Sequence, residues 1–326
     1  MSRRVNEACL ACGSVDYRTI RAYRSESPPG RRLFRDTVIL ECARCGLCQA
    51  SPIPTDDELN PYYAIDYRAG RRYGADAANA ATFPHDNLFF FHRGRSVAEL
   101  LRSHLATDRP ITVLDVGAGF GHILHALGVA FPQARRVAHE LSNPCIAHLQ
   151  SVGIEVVTGP LEDAIRQLPA LDVVVLSHVL EHLRDPVKTL AMLRSHLAPG
   201  GLLFVEVPHM GVAQLSGYPD SPWAPRHDEP HLTFYDERTL AGSLRAAGFD
   251  VRFVSSAGPN YQEVSAWRYR LPPLLPTMRR LVPPSLMTML RRSGSRHATL
   301  DHLAPAFDAY GGNRIWLRSV SVAPAG

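Results

Sequence analysis

Four of the six cysteines have the spacing of a metal site, and all four lie before residue 50. Cys9 and Cys12 form one C-x-x-C pair, Cys42 and Cys45 form a second, and a glycine follows each pair. This spacing is typical of a structural, tetrahedral zinc site with four cysteine ligands, because a two-residue spacer lets both thiolates of a pair reach one ion. Disulfides are the alternative, and we disfavour them because we expect a cytoplasmic protein. Cys48 is then a spare thiol.

A second chemical pattern is the run Asp115-x-Gly117-x-Gly119-x-Gly121, which follows a short apolar stretch. Glycines there let the backbone turn sharply and approach a ligand closely. The run departs from the dinucleotide fingerprint G-x-G-x-x-G, because His122 stands where its third glycine would be. A carboxylate at Asp115 would repel a pyrophosphate, but it suits a cationic ligand such as S-adenosylmethionine, which carries a sulfonium and an amino group. A tight turn without a ligand is the alternative.

Residues at the ends of neighbouring strands extend this predicted cofactor site. Glu140 ends the second strand, about 20 positions after the glycines, where a carboxylate can accept both hydroxyls of a ribose. Leu141 follows it, and Glu162 stands where an adenine amino group is commonly met, although an acidic residue in a first helical turn also favours the helix dipole. Ser177 and His178 directly follow the fourth strand, and we assign them to the same crevice.

The candidate catalytic residues are histidines with a neighbouring carboxylate. His178, Glu181 and His182 lie within five residues at the end of the fourth strand, and His231 follows a later polar stretch. Removing a proton from an acceptor calls for a base that titrates near neutrality, which suits histidine. We expect His231 to be the base, with His182 second, and Glu181 or Glu229 to orient the imidazole. A packing histidine is the alternative for His231.

Three tyrosines and two further histidines are candidates for the substrate side. Tyr62, Tyr63 and Tyr67 follow the cysteine segment, where they could pack in a core or form a lid that offers hydroxyl groups to a substrate. His209 follows the fifth strand, and His227 lies in a polar stretch shortly before His231.

The elements that position these residues alternate between strand and helix, which predicts an α/β protein with a parallel, doubly wound sheet. Ligands of such sheets bind outside the carboxyl ends of the strands. A helix over 86–105 leads into the sheet, and Pro199-Gly200-Gly201 is predicted to be the turn before the fifth strand. The strands are predicted at 111–116, 134–139, 154–157, 171–176, 202–207, 250–255 and 314–322.

Residues 111–257 resemble the class I S-adenosylmethionine-dependent methyltransferases. The glycine run, H-V-L-E-H at 178–182 with Asp185-Pro186, L-A-P-G-G at 197–201, and His231 with A-G-F at 247–249 carry the resemblance, in the order that the family has them. It implies a Rossmann-like sheet of seven strands, of which the last two form an antiparallel hairpin. It also implies S-adenosylmethionine as the methyl donor.

The cysteine module and the tyrosines add a narrower resemblance. Together with the rest of residues 9–257 they resemble the zinc-containing C-methyltransferases that act on nucleotide-linked 4-keto-6-deoxysugars. In those enzymes an E-H-[IL]-S-Y-F motif supplies a histidine base with a neighbouring glutamate. This chain reads P-H-L-T-F-Y from Pro230, so His231 matches the histidine while proline occupies the glutamate position and Glu229 lies one step away.

These patterns divide the 326 residues into a small N-terminal zinc-ribbon-like module and a larger α/β domain. We expect methyl transfer to a small-molecule acceptor of secondary-metabolite or sugar biosynthesis, at carbon of a keto-sugar or at a hydroxyl oxygen. N-methylation of a natural product is an alternative. Another is a zinc-ribbon binding protein with a macromolecular acceptor or an idle methyltransferase domain. The predicted divisions are 1–55 for the module, 56–106 for a linker, tyrosine-containing lid and lead-in helix, 107–257 with 313–326 for the cofactor domain, and 258–312 for a substrate-side insertion.

Composition and charge narrow the possible partners. The formal net charge of +4 is mild, and no apolar run is long enough to span a bilayer, so we expect neither a nucleic-acid partner nor a membrane segment. The positive charge is uneven, because residues 258–326 hold nine arginines against three acidic residues. An anionic acceptor could meet that face, and a solvated surface is the alternative.

Overall fold

The computed structural model describes residues 8–23, 25, 28–62, 88–105, 109–210, 230–257 and 316–324. Within these ranges the strands form two sheets. In this part of the chain every helix is too short or too polar to cross a lipid bilayer. The predicted insertion at 258–312 and most of the predicted tyrosine lid lie outside the described residues.

The N-terminal elements form a small antiparallel sheet with two short helices. Tyr23 stacks on Phe34 in its apolar core, with ring centroids 4.0 Å apart, and Ile39 and Leu59 are buried beside them. The elements are β1 (Tyr17–Ala22), α1 (Pro28–Leu33), β2 (Val38–Cys42), β3 (Cys48–Ser51) and α2 (Asp56–Pro61).

The elements of the larger domain follow the predicted alternation of strands and helices. Each predicted strand is present, with ends that differ by a few residues. The elements are α3 (Leu88–His104), β4 (Thr112–Val116), α4 (His122–Ala130), β5 (Arg135–His139), α5 (Asn143–Ser151), β6 (Glu155–Val157), α6 (Leu161–Ile165), β7 (Leu171–Ser177), a 3-10 turn (Leu180–His182), α7 (Pro186–His196), β8 (Leu197–Pro208), β9 (Thr233–Phe234), α8 (Glu237–Ala246), β10 (Asp250–Ala257) and β11 (Trp316–Val322).

The larger sheet has seven strands in the order β10-β11-β8-β7-β4-β5-β6. The five strands from β8 to β6 run parallel, whereas β11 is antiparallel to both β8 and β10. This confirms the predicted seven-stranded Rossmann-like sheet with a terminal antiparallel hairpin. Val116 on β4 pairs with His139 on β5 and with Leu176 on β7, so the carboxyl ends of the central strands meet at one edge.

The fifth strand begins earlier than predicted. β8 starts at Leu197 and runs through Gly200-Gly201, which were expected to form a turn outside the strand. Leu197 pairs with Leu171 of β7. Ala323 bonds both glycines, accepting from Gly200 N at 3.1 Å and donating to Gly201 O at 2.9 Å. Residues 198–201 nevertheless bulge between the pair Leu197–Leu171 and the pair Leu202–Val173, and Gly200 has a φ of 76°. Pro-Gly-Gly therefore keeps a local turn, which the bonds to Ala323 hold within the strand.

Apolar side chains cover both faces of the larger sheet. Leu114, Val174 and Leu203 face one layer, which contains α7 and α8. Val113 and Val175 face the other layer, where α3 and α4 pack. Neighbouring residues of a strand point to opposite faces, so a central strand buried on both faces is apolar along most of its length.

The small sheet is completed by a strand from the larger domain. β9 follows His231 and pairs with β3, with Cys48 opposite Phe234 and Gln49 opposite Thr233. Met210, Leu232 and Phe234 join the apolar core of the N-terminal module. The sequence reasoning treated residues 231–235 as a motif without a strand. A two-residue strand has too short a hydrophobic pattern to be recognised locally.

Candidate functional site

The four cysteines of the two C-x-x-C pairs lie together. Their four Sγ atoms all lie within 4.8 Å of one another. The Sγ atoms of Cys9 and Cys45 are 3.5 Å apart, and those of Cys12 and Cys42 are 3.6 Å apart. A tetrahedral zinc ion with bonds of about 2.3 Å separates its sulfur ligands by about 3.8 Å. The donor atoms and their spacing therefore fit such an ion.

Both cysteine pairs sit on similar tight turns. Gly13 N donates to Cys9 O and Gly46 N donates to Cys42 O, each at 2.8 Å. The two glycines have φ angles of 72° and 78°, in the left-handed region that favours glycine. A side chain at Gly46 would also collide with the guanidinium of Arg238 on α8, so this turn lies directly against the larger domain. Cys48 is buried outside the cluster, and burial raises the pKa of its thiol to about 12.

The glycine run forms a turn between β4 and α4. Gly117, Gly119 and Gly121 all have positive φ, between 58° and 76°. Gly117 N donates to the carbonyl of His139 at 2.8 Å, which ties the turn to the end of β5. A Cβ on Gly119 would meet nothing within 4 Å, so open space lies beside the turn. This cradle fits a ligand that approaches the backbone closely.

Glu140 lies beside the glycine turn. Its Oε2 accepts from Gly119 N at 2.7 Å, and its Oε1 accepts from Leu141 N and Ser142 N at 2.8 Å each. These bonds hold the carboxylate in one orientation at the sheet edge. Leu141, the next residue, is one of few large apolar side chains that are exposed among the described residues, at 63%. An exposed leucine beside a polar cradle fits contact with a flat apolar ring.

Two further predicted cofactor residues have different environments. Glu162 is exposed in the first turn of α6, where it forms an ion pair with Arg166 one helical turn later. Asp115 is buried at the end of β4. Burial raises the pKa of Asp115 to about 8, against the opposing effect of Arg93 and with a smaller contribution from Glu140. A cationic ligand group beside Asp115 would favour its ionised form.

A buried ion cluster lies behind Ser177, and the sequence reasoning missed it. Glu206 on β8 accepts from Arg93 Nε at 2.8 Å and from Arg318 Nε at 2.7 Å. Ser177 Oγ donates to the same carboxylate at 3.1 Å. Burial opposes ionisation, but the two guanidinium groups hold the pKa of Glu206 well below its usual range. The sequence did contain one sign of a buried charge, because Glu206 interrupts the otherwise apolar stretch 202–207.

His178 links this cluster to the predicted catalytic residues. Its backbone φ of 57° is rare for a residue with a side chain. His178 N donates to Glu206 O at 2.8 Å, and the ring atom Nδ1 lies 3.2 Å from Glu181 Oε1. Glu181 is buried, which disfavours its ionised form, yet the hydrogen bond with His178 and the neighbouring imidazoles hold its pKa below the usual value.

The structure brings Glu181, His182 and His231 together at the carboxyl end of β7. One potential ligand atom of each lies within 4.8 Å of the others. The rings of His182 and His231 are 4.9 Å apart between centroids. Leu232 N donates to the carbonyl of Glu181 at 2.7 Å, which anchors the segment that carries His231. Residues 49 positions apart in sequence thus share one site.

The predicted substrate residues separate into buried and undescribed ones. Tyr62 is buried in the apolar core of the N-terminal module. His209 directly follows β8 and forms an isolated backbone β-bridge with Tyr235. Its side chain is fully buried, and burial lowers its pKa to about 4. Tyr63, Tyr67 and His227 lie outside the described residues, as does Glu229, the second candidate for orienting the base.

The strand order and the glycine turn after the first strand of the larger sheet define the class I methyltransferase fold. The chain belongs to a methyltransferase family, because residues 90–253, just over half of the chain, match a family model described as a methyltransferase domain. A structure of an S-adenosylmethionine-dependent methyltransferase from Archaeoglobus fulgidus is similar in fold, with a TM-score of 0.43 and 18% identity, over 69% of this chain and 92% of that one.

Two named methyltransferases are similar in sequence. The malonyl-[acyl-carrier protein] O-methyltransferase of Halalkalibacterium halodurans is 33% identical over 106 residues, which is 30% of this chain and 39% of that protein. The trans-aconitate 2-methyltransferase of Mycobacterium tuberculosis is 32% identical over 120 residues, which is 37% of this chain and 45% of that protein. The chain therefore spans less than half the length of these two relatives.

Proposed function

We propose that this chain transfers a methyl group from S-adenosylmethionine to a small-molecule acceptor. The observation that carries the proposal is the grouping of Glu181, His182 and His231 at the carboxyl end of β7. This is the sheet edge where the glycine turn and Glu140 also lie. A cofactor cradle and a set of proton-accepting groups thus lie at one edge of the sheet, as a methyl transfer that removes a proton from its acceptor requires.

The chain's own residues would hold the cofactor from several sides. The turn from Gly117 to Gly121 gives close backbone approach, and Glu140 would accept the ribose hydroxyls. Asp115 would face the cationic end of the ligand, and Leu141 would cover the adenine with Glu162 near its amino group. Ser177 and His178 complete the proposed cofactor side. The sulfonium of S-adenosylmethionine supplies a methyl group that is already activated.

The protein's remaining tasks are to align the acceptor and to take up its proton. We assign the base to His231 and, second, to His182, with Glu181 as the carboxylate that orients the imidazole. The proximity of Glu181 and His231 supports this assignment. Glu181 would compensate for Pro230, which stands where the sugar C-methyltransferases have a glutamate. An enolisable carbon or a hydroxyl oxygen is therefore the acceptor atom that we favour.

We further propose that the four cysteines hold a structural zinc ion. Four thiolates complete a tetrahedral shell, so the ion would stabilise the module and would leave no position for a substrate. The pairing of β3 with β9 supports a role of the module in positioning His231. Tyr63, Tyr67 and His227 remain proposed substrate-side residues, together with the 258–312 insertion. Tyr62 and His209 are buried, so we no longer assign them to the substrate side.

The test is incubation with methyl-labelled S-adenosylmethionine and two acceptor sets, nucleotide-linked keto-sugars and hydroxylated or amino natural-product scaffolds. Label on a sugar carbon or on a hydroxyl oxygen supports the proposal. The variant His231→Gln should lower kcat by about 100-fold or more, whereas His196→Gln on α7 should leave it unchanged. Label only on nitrogen would move N-methylation ahead. No label in either set, with the cofactor still bound, would favour a macromolecular acceptor or an idle domain.

A further inference from the structure

The group formed by Glu181, His182 and His231 has the composition of a second metal site. Two imidazoles and one carboxylate form a donor set that binds divalent first-row transition metals. The potential ligand atoms lie within 4.8 Å of one another. Glu181 and His231 are buried and His182 is half-buried, so bulk water has little access to these donor atoms. We propose that this triad binds a divalent transition-metal ion, in addition to the ion held by the cysteines.

The surroundings of Glu181 favour an ion at this place. Its Oε1 faces His178 Nδ1 at 3.2 Å, whereas Oε2 is buried without a hydrogen-bond partner among the described residues. A buried carboxylate oxygen without a partner costs free energy unless a cation or a donor satisfies it. A metal ion bound to Oε2 would satisfy it, and His178 would then hold the ligating carboxylate from behind.

The orientation of His182 fits the same role. Its Nδ1 lies 3.3 Å from the carbonyl oxygen of Pro230. A carbonyl oxygen only accepts, so Nδ1 carries the hydrogen and the lone pair is on Nε2. Ligating histidines commonly donate their second ring nitrogen to a backbone carbonyl in this way, which fixes the ring and its tautomer. Pro230 thereby orients His182 and precedes the third ligand, His231.

Three protein ligands leave at least one coordination position open, in contrast to the closed set of four cysteines. An oxygen atom of the acceptor could occupy that position. Coordination would lower the pKa of a hydroxyl group bound there. With the ion bound, His182 and His231 are ligands and not bases, so the ion would take the place of the imidazole base and the proton of the bound hydroxyl would pass to solvent water. The site would therefore select acceptors with an oxygen ligand next to the methylated atom. This last point rests on the proposed methyl transfer, whereas the metal site itself does not.

The proposal is tested by metal stoichiometry of the full chain, read without turnover. After saturation with zinc and removal of loosely bound metal, mass spectrometry should find two zinc ions per chain. Glu181→Gln, His182→Gln and His231→Gln should each hold one. His196→Gln, which changes a histidine of α7 outside the triad, should hold two. A wild-type chain that holds one ion, with no loss in the triad variants, would overturn the proposal.

Cobalt substitution separates the two sites and shows whether a variant is folded. Cobalt bound to thiolates gives an intense near-ultraviolet charge-transfer band, whereas a site of nitrogen and oxygen ligands gives only weak visible bands. His231→Gln should keep the thiolate band and lose the second set of visible bands. His178→Ala should weaken cobalt binding at the triad by about 10- to 100-fold, because it removes the support of the ligating carboxylate. Unchanged visible bands in both variants would contradict the site, whatever the methyl-transfer assay shows.

Discussion

The hydroxyl group of Tyr23 donates a hydrogen bond to the backbone carbonyl of His231, at 3.1 Å and across 208 positions of sequence. Two further backbone bonds hold the same segment. Ala50 N donates to Leu232 O at 2.9 Å, and Leu232 N donates to Glu181 O at 2.7 Å. Hydrogen bonds from both the N-terminal module and the larger domain therefore hold the segment that carries His231. Through these contacts the module fixes the position of the segment that carries the proposed base.

Replacing Tyr23 with phenylalanine should remove the hydrogen bond to His231 while keeping the aromatic ring in the core. A buried carbonyl that loses its donor costs about 1–3 kcal/mol, so we expect a lower melting temperature. We also expect a several-fold lower kcat for methyl transfer, because His231 becomes less well positioned, with KM for S-adenosylmethionine unchanged. Thermal unfolding and steady-state kinetics are the measurements. Val15→Ala, at an exposed site in the same module, is the control. Equal kcat in Tyr23→Phe and wild type would contradict the positioning role.

Removing one proposed zinc ligand should affect the acceptor side more than the cofactor side. Cys42→Ser should lose the ion and loosen β2 and β3, because metal binding and folding of such a module are linked. We expect kcat to fall at least about 100-fold, while the dissociation constant for S-adenosylmethionine changes little, since the glycine turn lies on the other sheet. Zinc analysis, calorimetric titration and kinetics test this. Cys48→Ala removes a buried thiol outside the cluster and should keep zinc and activity. Full retention of zinc by Cys42→Ser would refute the assignment.

Glu140 should control affinity for the cofactor. Its carboxylate accepts three backbone hydrogen bonds, and glutamine can neither carry the charge nor accept as many. Charge-assisted hydrogen bonds contribute about 1.5–3 kcal/mol. The dissociation constant of S-adenosylmethionine should thus rise about 10- to 100-fold in Glu140→Gln. Calorimetric titration measures it. Glu155→Gln, on β6 and paired with Arg135, should bind as wild type does. A similar loss in both variants would indicate a general effect on the fold.

Asp115 should make the stability of the unliganded protein depend on pH. Burial raises its pKa to about 8 in the folded state, whereas an unfolded aspartate titrates near 3.9. Between these values the folded chain binds more protons, so its unfolding free energy should fall as pH rises, by about 1.4 kcal/mol per pH unit from this group. Asp115→Asn should remove that slope and melt higher than wild type at pH 8.

The same substitution should weaken cofactor binding, because asparagine cannot offer a negative charge to a cationic ligand. Denaturant unfolding at pH 5 and pH 8 and calorimetric titration at pH 8 measure the two effects. Asp172→Asn is the control. It alters a carboxylate at the amino end of β7 that is paired with Arg109, and it should change neither the pH dependence of stability nor cofactor binding in this way. Parallel pH profiles for Asp115→Asn and wild type would exclude Asp115 as the cause.

Local sequence pattern was sufficient for most of the larger domain. Short apolar stretches rich in β-branched residues, such as 173–176, favour strands buried on both faces, and the glycines at 117–121 mark the turn after the first strand of the sheet. Family resemblance supplied the antiparallel last hairpin, and the sheet confirms it. The start of β8 was predicted too late, because Leu171 and Ala323, the partners of its first residues, lie far from it in sequence. Hydrogen bonds of that kind leave no local pattern.

The sequence by itself determined which residue types were available: two cysteine pairs, a glycine turn with acidic neighbours, and histidines after strand ends. Tertiary structure alone decided which of them meet. It placed Glu181, and not a residue next to His231 in sequence, beside His231. It also placed Arg93 and Arg318 beside Glu206. It also paired β9 with the cysteine module. The physical reason is that spacing and periodicity report each segment's own backbone, whereas a site depends on distances between segments that only packing establishes.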